Sequence, residues 1–133
     1  MNHRIETVVL DSQGLSVWIS QDRAVLAMIR SFHSMAADLV VCSNTIVKVV
    51  HARVNTARLN WVLSQAKVES VTEQAARAAA VLLKETGLHG HKYAIDATVA
   101  ELALRQPGPV AMLTSDLDDM AKLCGSRVRL IAL

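Results

Sequence analysis

The chain has 133 residues, of which 52% are hydrophobic and 20% charged, and its formal net charge is +2 at pH 7. This composition excludes a disordered chain, and the length predicts one domain, residues 1–133, with a core two or three layers deep. Only four residues are aromatic. The core must therefore consist of Val, Leu, Ile and Ala, as in parallel sheets covered by helices. The small net charge neither requires nor excludes a polyanionic partner.

The cysteines and the amino-terminal segment indicate where the protein resides. Cys42 and Cys124 lie far apart in apolar surroundings, which favours two buried reduced thiols over a disulfide. Residues 1–6 lead directly into a predicted strand, so no signal peptide is expected. No apolar run approaches the roughly 20 residues that a membrane span needs. We therefore expect a cytoplasmic protein without a membrane partner.

The first half of the chain alternates apolar runs with segments of helical periodicity. Continuous apolar runs at residues 6–10 and 39–42 predict two strands. Between them we expect a short helix at residues 14–18 and a longer one at about 23–36, which Asp22 would cap.

A third helix is predicted after the second strand. Ser43 is expected to cap it, and the helix would run to about His51. Its polar face would carry Asn44, Lys48 and His51, which are spaced at helical intervals. Its apolar face would hold Ile46, Val49 and Val50.

Strands and helices also alternate through the second half. Three further strands are predicted at residues 68–71, 110–114 and 128–132, and Asn55 and Thr72 are expected to cap the intervening helices. Parallel strands joined by helices predict helices on both faces of the sheet. The fold class is therefore α/β, a three-layer α/β/α sandwich with a parallel sheet of about five strands.

Three aspartates stand at positions where the ends of such a sheet converge. Asp11 ends the first strand, Asp116 follows the fourth, and Asp96 is expected in the first turn of the helix that precedes the fourth, after a loop at residues 88–92. Clustered carboxylates repel one another unless a cation is bound, and Mg²⁺ or Mn²⁺ is the natural partner for oxygen ligands. Such an ion supports phosphodiester hydrolysis. Singly, however, Asp96 also suits a helix amino terminus and Asp116 a helix cap.

Three short runs that contain these aspartates resemble the PIN-domain family, in particular the VapC-type toxins of bacterial toxin–antitoxin pairs. They are VVLDS at residues 8–12, AIDATVA at 94–100 and LTSDLDD at 113–119. The resemblance extends over essentially the whole chain in length, element order and motif spacing. It implies a parallel α/β/α sandwich, a Mg²⁺- or Mn²⁺-dependent ribonuclease acting on RNA, a homodimer and a small antitoxin protein as partner.

The resemblance also implies roles for single residues. The first, third and fourth acids of the family match Asp11, Asp96 and Asp116, which become the candidate catalytic and metal-binding residues. The second acid, a glutamate in the helix after strand two, falls at Lys48 within IVKVV at residues 46–50. An ammonium there would pair with Asp11 or Asp96 and repel a divalent ion. We therefore expect weakened hydrolysis.

Lys48 leaves several alternatives open. It could be natural in a degenerate member of the family, or it could be a change selected during cloning. It could also point to solvent while three aspartates bind the metal. Accordingly, two functions compete: a metal-dependent ribonuclease, and a catalytically compromised PIN-like domain that acts by binding RNA or an antitoxin.

Other candidate residues have weaker support. Ser115 suits either a site hydrogen bond or a cap, whereas Asp118 and Asp119 are expected to solvate the first turn of the last helix. His89 and His91 are expected in a solvated loop, because no further Cys or His lies near them in the sequence. Basic residues are scattered, and no aromatic–basic platform for stacking bases is apparent. Two helix faces could dimerise or cover the sheet: Leu59, Val62 and Leu63, and Ala75, Ala79 and Leu82.

Overall fold

Five short segments pair as parallel strands in one sheet, in the order β3-β2-β1-β4-β5. The structure is a computed structural model that describes residues 4–133. The first three residues, part of the segment in which no signal peptide is expected, lie outside this range. The strands are β1 Thr7–Leu10, β2 Asp38–Cys42, β3 Lys67–Glu69, β4 Val110–Thr114 and β5 Arg129–Ala132.

Seven α-helices connect these strands within the described residues. They are α1 Ser12–Ile19, α2 Arg23–Ser34, α3 Ser43–Val49, α4 Thr56–Ser64, α5 Glu73–Thr86, α6 Gly90–Leu104 and α7 Leu117–Cys124, and a 3₁₀ turn at Gly125–Arg127 precedes β5. The predicted α/β fold with a five-stranded parallel sheet is confirmed.

Two hydrophobic clusters occupy opposite faces of the sheet. Alternate residues of β1 show this directly, because Val8 and Leu10 belong to one cluster and Val9 to the other. Helices α1, α2 and α4 cover the first face, and α6 and α7 cover the second. All three strand residues are fully buried, so β1 runs through the centre of the molecule.

The predicted helix caps form where short polar side chains precede a helix. Asp22, Asn55 and Thr72 each accept a hydrogen bond from a backbone N–H three residues later, at 3.0, 3.0 and 3.1 Å. The helix α5 ends at Gly87, which adopts the left-handed conformation with φ of 72°.

Three predictions about the third helix are wrong. The Ser43 hydroxyl does not cap α3 but accepts a hydrogen bond from the backbone N–H of Val71, at 3.3 Å. The helix ends at Val49, so His51 lies outside it and does not share its polar face. Val50, expected on the apolar face, is 52% exposed.

The helix that carries Asp96 begins earlier than predicted. It starts at Gly90, inside the predicted loop, and Tyr93 has non-helical backbone angles that mark a kink. Asp96 therefore lies three residues beyond a kink in α6 and not in its first turn.

The two helix faces considered for dimerisation pack within the chain, that of α4 in the cluster on one face of the sheet and that of α5 against α6. Leu59 and Val62 are buried in one cluster, and Ala75 and Ala79 are also buried within the chain. Both cysteines are buried free thiols, and burial raises the pKa of Cys124 to about 11. Within residues 4–133, no helix is long and apolar enough to cross a membrane.

Candidate active site

The carboxyl ends of β1 and β4 place two aspartates at one edge of the sheet. Leu10 pairs with Leu113 in the parallel register, and Asp11 follows Leu10 directly. The backbone N–H of Asp11 donates to the Leu113 carbonyl at 3.3 Å, which extends the pairing by one step. Asp116 follows two residues after β4 ends. The site therefore begins where the central strands stop.

Asp11 is anchored by the helix that it caps. Its carboxylate Oδ1 accepts a hydrogen bond from the backbone N–H of Gly14 at 2.9 Å, and its residue exposure is only 2%. Burial raises the pKa of the Asp11 carboxyl, hydrogen bonds from Thr114 and Gly14 oppose that rise, and the charge of Asp116 adds to it. Burial is the largest of these effects on Asp11.

Gly14 allows α1 to start so close to the sheet. A Cβ at this position would lie 3.0 Å from the backbone oxygen of Leu113 and 3.4 Å from the Cβ of Leu10. Only the absence of a side chain lets the first turn of α1 pack against both central strands. The same close approach brings the Gly14 N–H within reach of the Asp11 carboxylate.

Asp96 reaches the same edge from α6, and its nearest cation is Lys48. The ammonium of Lys48 lies 3.9 Å from Asp96 Oδ1, with side-chain exposures of 43% and 11%. Burial raises the pKa of the Asp96 carboxyl, and the charge of Lys48 opposes that rise. Three further carboxylates raise it again: Asp116, Asp11 and Asp119. The three predicted aspartates are thus within electrostatic reach of one another.

Asp116 is the exposed member of the group. It occupies the N-cap position of α7, yet within the described chain its side chain makes no capping hydrogen bond. Its backbone N–H donates to the Thr114 hydroxyl at 2.9 Å. A shallow cavity of about 390 Å³ lies here, lined by Ser115, Asp116, Leu117, Asp118 and Asp119. The carboxylate of Asp116 is therefore free to turn towards a ligand.

Helices α3 and α6 meet through a second polar contact that the sequence did not reveal. The amide Nδ2 of Asn44 donates to the Thr98 hydroxyl at 2.8 Å, and that hydroxyl donates to the Ile95 carbonyl at 2.7 Å. Asn44 precedes Lys48 by one helical turn, and Thr98 lies within the run of residues 94–100. The sequence places Asn44 near Lys48 and Thr98 near Asp96, but it does not show that these two segments touch.

The aspartates suit a divalent cation by chemistry more than by spacing. Carboxylate oxygens are the ligands that Mg²⁺ and Mn²⁺ prefer, and burial together with repulsion between the carboxylates raises the pKa values of Asp11 and Asp96. Among residues 4–133, however, no three His, Cys, Asp or Glu side chains are grouped closely enough to hold a metal ion. The ligand atoms are thus of the type that Mg²⁺ and Mn²⁺ bind, but the aspartate side chains would have to move closer together to coordinate one ion.

The remaining candidates lie apart from this group. His89 and His91 are exposed at the start of α6. The Nδ1 of His51 accepts a hydrogen bond from the backbone N–H of Arg53 at 3.1 Å, outside α3. Arg105 forms ion pairs with Glu69 and Glu101.

Two aromatic side chains lie beside cations. The Arg58 guanidinium lies 5.3 Å from the centre of the Trp61 ring, and the Lys92 ammonium lies 5.2 Å from that of Tyr93. Arg58 and Trp61 are three residues apart on α4, a spacing that places both side chains on one helix face.

Comparison with known proteins identifies the fold. No protein-family model matches the chain, and no curated protein matches its sequence. A chain in the crystal structure of VapBC2 from Rickettsia felis, bound to a DNA fragment from their promoter, matches with a TM-score of 0.71 over 96% of this chain and 98% of that one. The fold is of the PIN type. At 13% identity the likeness shows the fold alone.

Proposed function

We propose that the chain is a metal-dependent endoribonuclease of PIN type and the toxin of a bacterial toxin–antitoxin pair, with activity weakened by Lys48. The observation that supports this most is that three aspartates distant in sequence lie within electrostatic reach of one another at the carboxyl edge of the sheet. Asp116 raises the pKa of both Asp11 and Asp96, as expected for carboxylates that share one site.

In this proposal Asp11, Asp96 and Asp116 would hold Mg²⁺ or Mn²⁺. When bound, the ion would supply a hydroxide nucleophile near neutral pH and screen the scissile phosphate. The chain's own contribution is orientation. The first turn of α1 holds the Asp11 carboxylate through the Gly14 N–H, and the Thr114 hydroxyl holds the backbone before α7.

The position of Lys48 is the reason to expect reduced ribonuclease activity. Its ammonium is the cation nearest to Asp96, and it opposes the rise in pKa that burial causes. An ion bound to Asp96 would have to approach this ammonium, and like charges repel. The partial exposure of Lys48 means that solvent screens the repulsion, so we expect impaired activity and not its complete loss.

The test is metal-dependent RNA cleavage by Lys48→Glu, which supplies the carboxylate that the family resemblance implies. We expect cleavage in Mn²⁺ to increase at least about tenfold, equivalent to ~1.4 kcal/mol of barrier. The matched control is Lys84→Glu, the same change in charge on an exposed turn of α5, which should leave cleavage unchanged. Equal activity of wild type and Lys48→Glu would remove Lys48 from the proposal, and cleavage that survives Asp11→Asn would overturn the site.

A second function, binding of RNA or antitoxin without hydrolysis, is favoured by one observation. The Lys48–Asp96 ion pair supplies positive charge to the site from within the chain. A Mn²⁺ titration separates the two functions. Affinity in the millimolar range or tighter that disappears in Asp11→Asn supports the nuclease. Absence of specific binding in both wild type and Lys48→Glu supports the binding domain.

The proposed partners are an RNA substrate, a small antitoxin protein and a second copy of the chain, all within the cytoplasm. Support for a protein partner comes from apolar side chains left exposed on the helices, such as Val47 at 75% and Trp61 at 50%. Expression with the product of a small neighbouring reading frame, followed by size-exclusion chromatography with light scattering, would give the stoichiometry. A monomer that binds no such product would contradict the proposed homodimer and the proposed antitoxin partner.

A further inference from the structure

One buried polar atom beside the aspartates has no hydrogen-bond partner. The side-chain oxygen Oδ1 of Asn44 is buried and unpaired within the described residues. A buried polar atom without a partner lowers stability, so a state that supplies a hydrogen-bond donor to it would be favoured. The orientation of this amide follows from its neighbours. The Thr98 hydroxyl donates to the Ile95 carbonyl, so it must accept from Asn44 Nδ2. The oxygen of Asn44 is therefore the atom left over.

Lys48 lies one helical turn after Asn44 and has spare hydrogen-bonding capacity. Residues four apart share a helix face, and side chains lean towards the amino terminus, so the Lys48 stem extends over the turn of Asn44. An ammonium has three donors, yet the distance of Lys48 Nζ from Asp96 Oδ1 is 3.9 Å, longer than a hydrogen bond. The contact between Lys48 and Asp96 is therefore an ion pair without a hydrogen bond.

We propose that Lys48 is a positioning residue with two alternative partners, the Asp96 carboxylate in the free site and the Asn44 oxygen when Asp96 binds a divalent cation. This inference rests on the proposed metal site. A cation on Asp96 would cancel the attraction for the ammonium and repel it. Asn44 Oδ1 offers a neutral acceptor on the same helix face, and the hydrogen bond to Thr98 keeps it oriented. Thr45, whose hydroxyl is also unpaired, is one residue along the helix and faces another direction.

Metal binding gives the first test, with Mn²⁺ as the probe and electron paramagnetic resonance as the readout. Lys48→Met should bind Mn²⁺ about tenfold more tightly than wild type. Asn44→Ala should weaken binding about threefold when Lys48 is present, because the ammonium loses its second partner. In the Lys48→Met background, Asn44→Ala should have no effect. Equal weakening in both backgrounds would mean that Asn44 is merely structural and would overturn the inference.

A second test needs no metal and separates failure of the inference from failure of the proposed function. Asp96→Asn removes the charge that holds Lys48, so the ammonium should move to Asn44. The side-chain amide resonances of Asn44 should then shift in nuclear magnetic resonance spectra. The same substitution made in Lys48→Met should leave them in place. Unchanged Asn44 resonances would overturn the inference even if Mn²⁺ binds, whereas a shift without any Mn²⁺ binding would overturn only the proposed metal site.

Discussion

The end of β1 and the contact between α3 and α6 bring charged side chains to the same edge of the sheet by different means. Asp11 is placed by the backbone, because its own N–H continues the pairing with β4 and its carboxylate caps α1. Asp96 and Lys48 are placed by the packing of two helices, and 3.9 Å separates their charges. We call the part held by the backbone, Asp11, the rigid half of the site, and the part held by side-chain packing, Asp96 and Lys48, the adjustable half.

The rigid half should be the easier to break by steric crowding. Gly14→Ala would introduce a Cβ 3.0 Å from a backbone oxygen that has little freedom to move. Overpacking costs roughly 1–3 kcal/mol and the better helix propensity of Ala returns up to about 1 kcal/mol, so we expect a net loss of about 1 kcal/mol. Urea unfolding measures it. The control is Gly90→Ala, whose Cβ would meet only Leu83 Cδ1 at 3.6 Å, and an equal loss in both variants would contradict the close approach of α1.

The carboxylates of both halves, Asp11 and Asp96, should make the stability of the protein depend on pH. The raised pKa values of Asp11 and Asp96 mean that the folded chain keeps protons that the unfolded chain has released. The free energy of unfolding should therefore fall as pH rises from the ordinary carboxyl value of 3.8 through these raised values.

Substitution by asparagine separates the two contributions to this pH dependence. Asp11→Asn keeps a capping oxygen and removes the buried charge, so it should increase stability at pH 7 and flatten the profile. Asp96→Asn should gain less, because it also loses the attraction of Lys48. Unfolding between pH 4 and 8 would show this order, and a larger gain in Asp96→Asn would contradict the role of Lys48.

The smallest expected effect concerns the ion pair itself. Lys48→Met leaves Asp96 among like charges and should lower the free energy of unfolding by about 0.5–1 kcal/mol, less at high salt. Lys67→Met removes a shorter but more exposed pair, 2.9 Å from Asp38 with side-chain exposures of 65% and 54%, and should cost less. Thermal unfolding at two salt concentrations compares them. A larger loss of stability in Lys67→Met than in Lys48→Met would contradict the stabilising role of the Lys48–Asp96 ion pair.

The sequence predicted the parts of the site that depend on local pattern. Apolar runs marked the strands, and the ends of those strands carried Asp11 and Asp116 to one edge. Three caps, at Asp22, Asn55 and Thr72, followed from side chains that can accept a backbone N–H.

The sequence could not predict what depends on packing between distant segments. No Gly or Pro marks the end of α3, so His51 was wrongly included in it. Gly90 suggested a loop, yet α6 begins there and tolerates a kink at Tyr93. The choice of Asp96 over Asp11 as the partner of Lys48, and the Asn44–Thr98 hydrogen bond, arise only when α3 meets α6.

The central position of β1 has a consequence for the order in which the molecule opens. Val8, Val9 and Leu10 are fully buried and pair with strands on both sides, so their amides should be among the last to exchange with deuterated solvent. Asp11 is attached to the end of this slowest segment. Local unfolding that releases the outer helices would therefore leave the backbone of Asp11 in place.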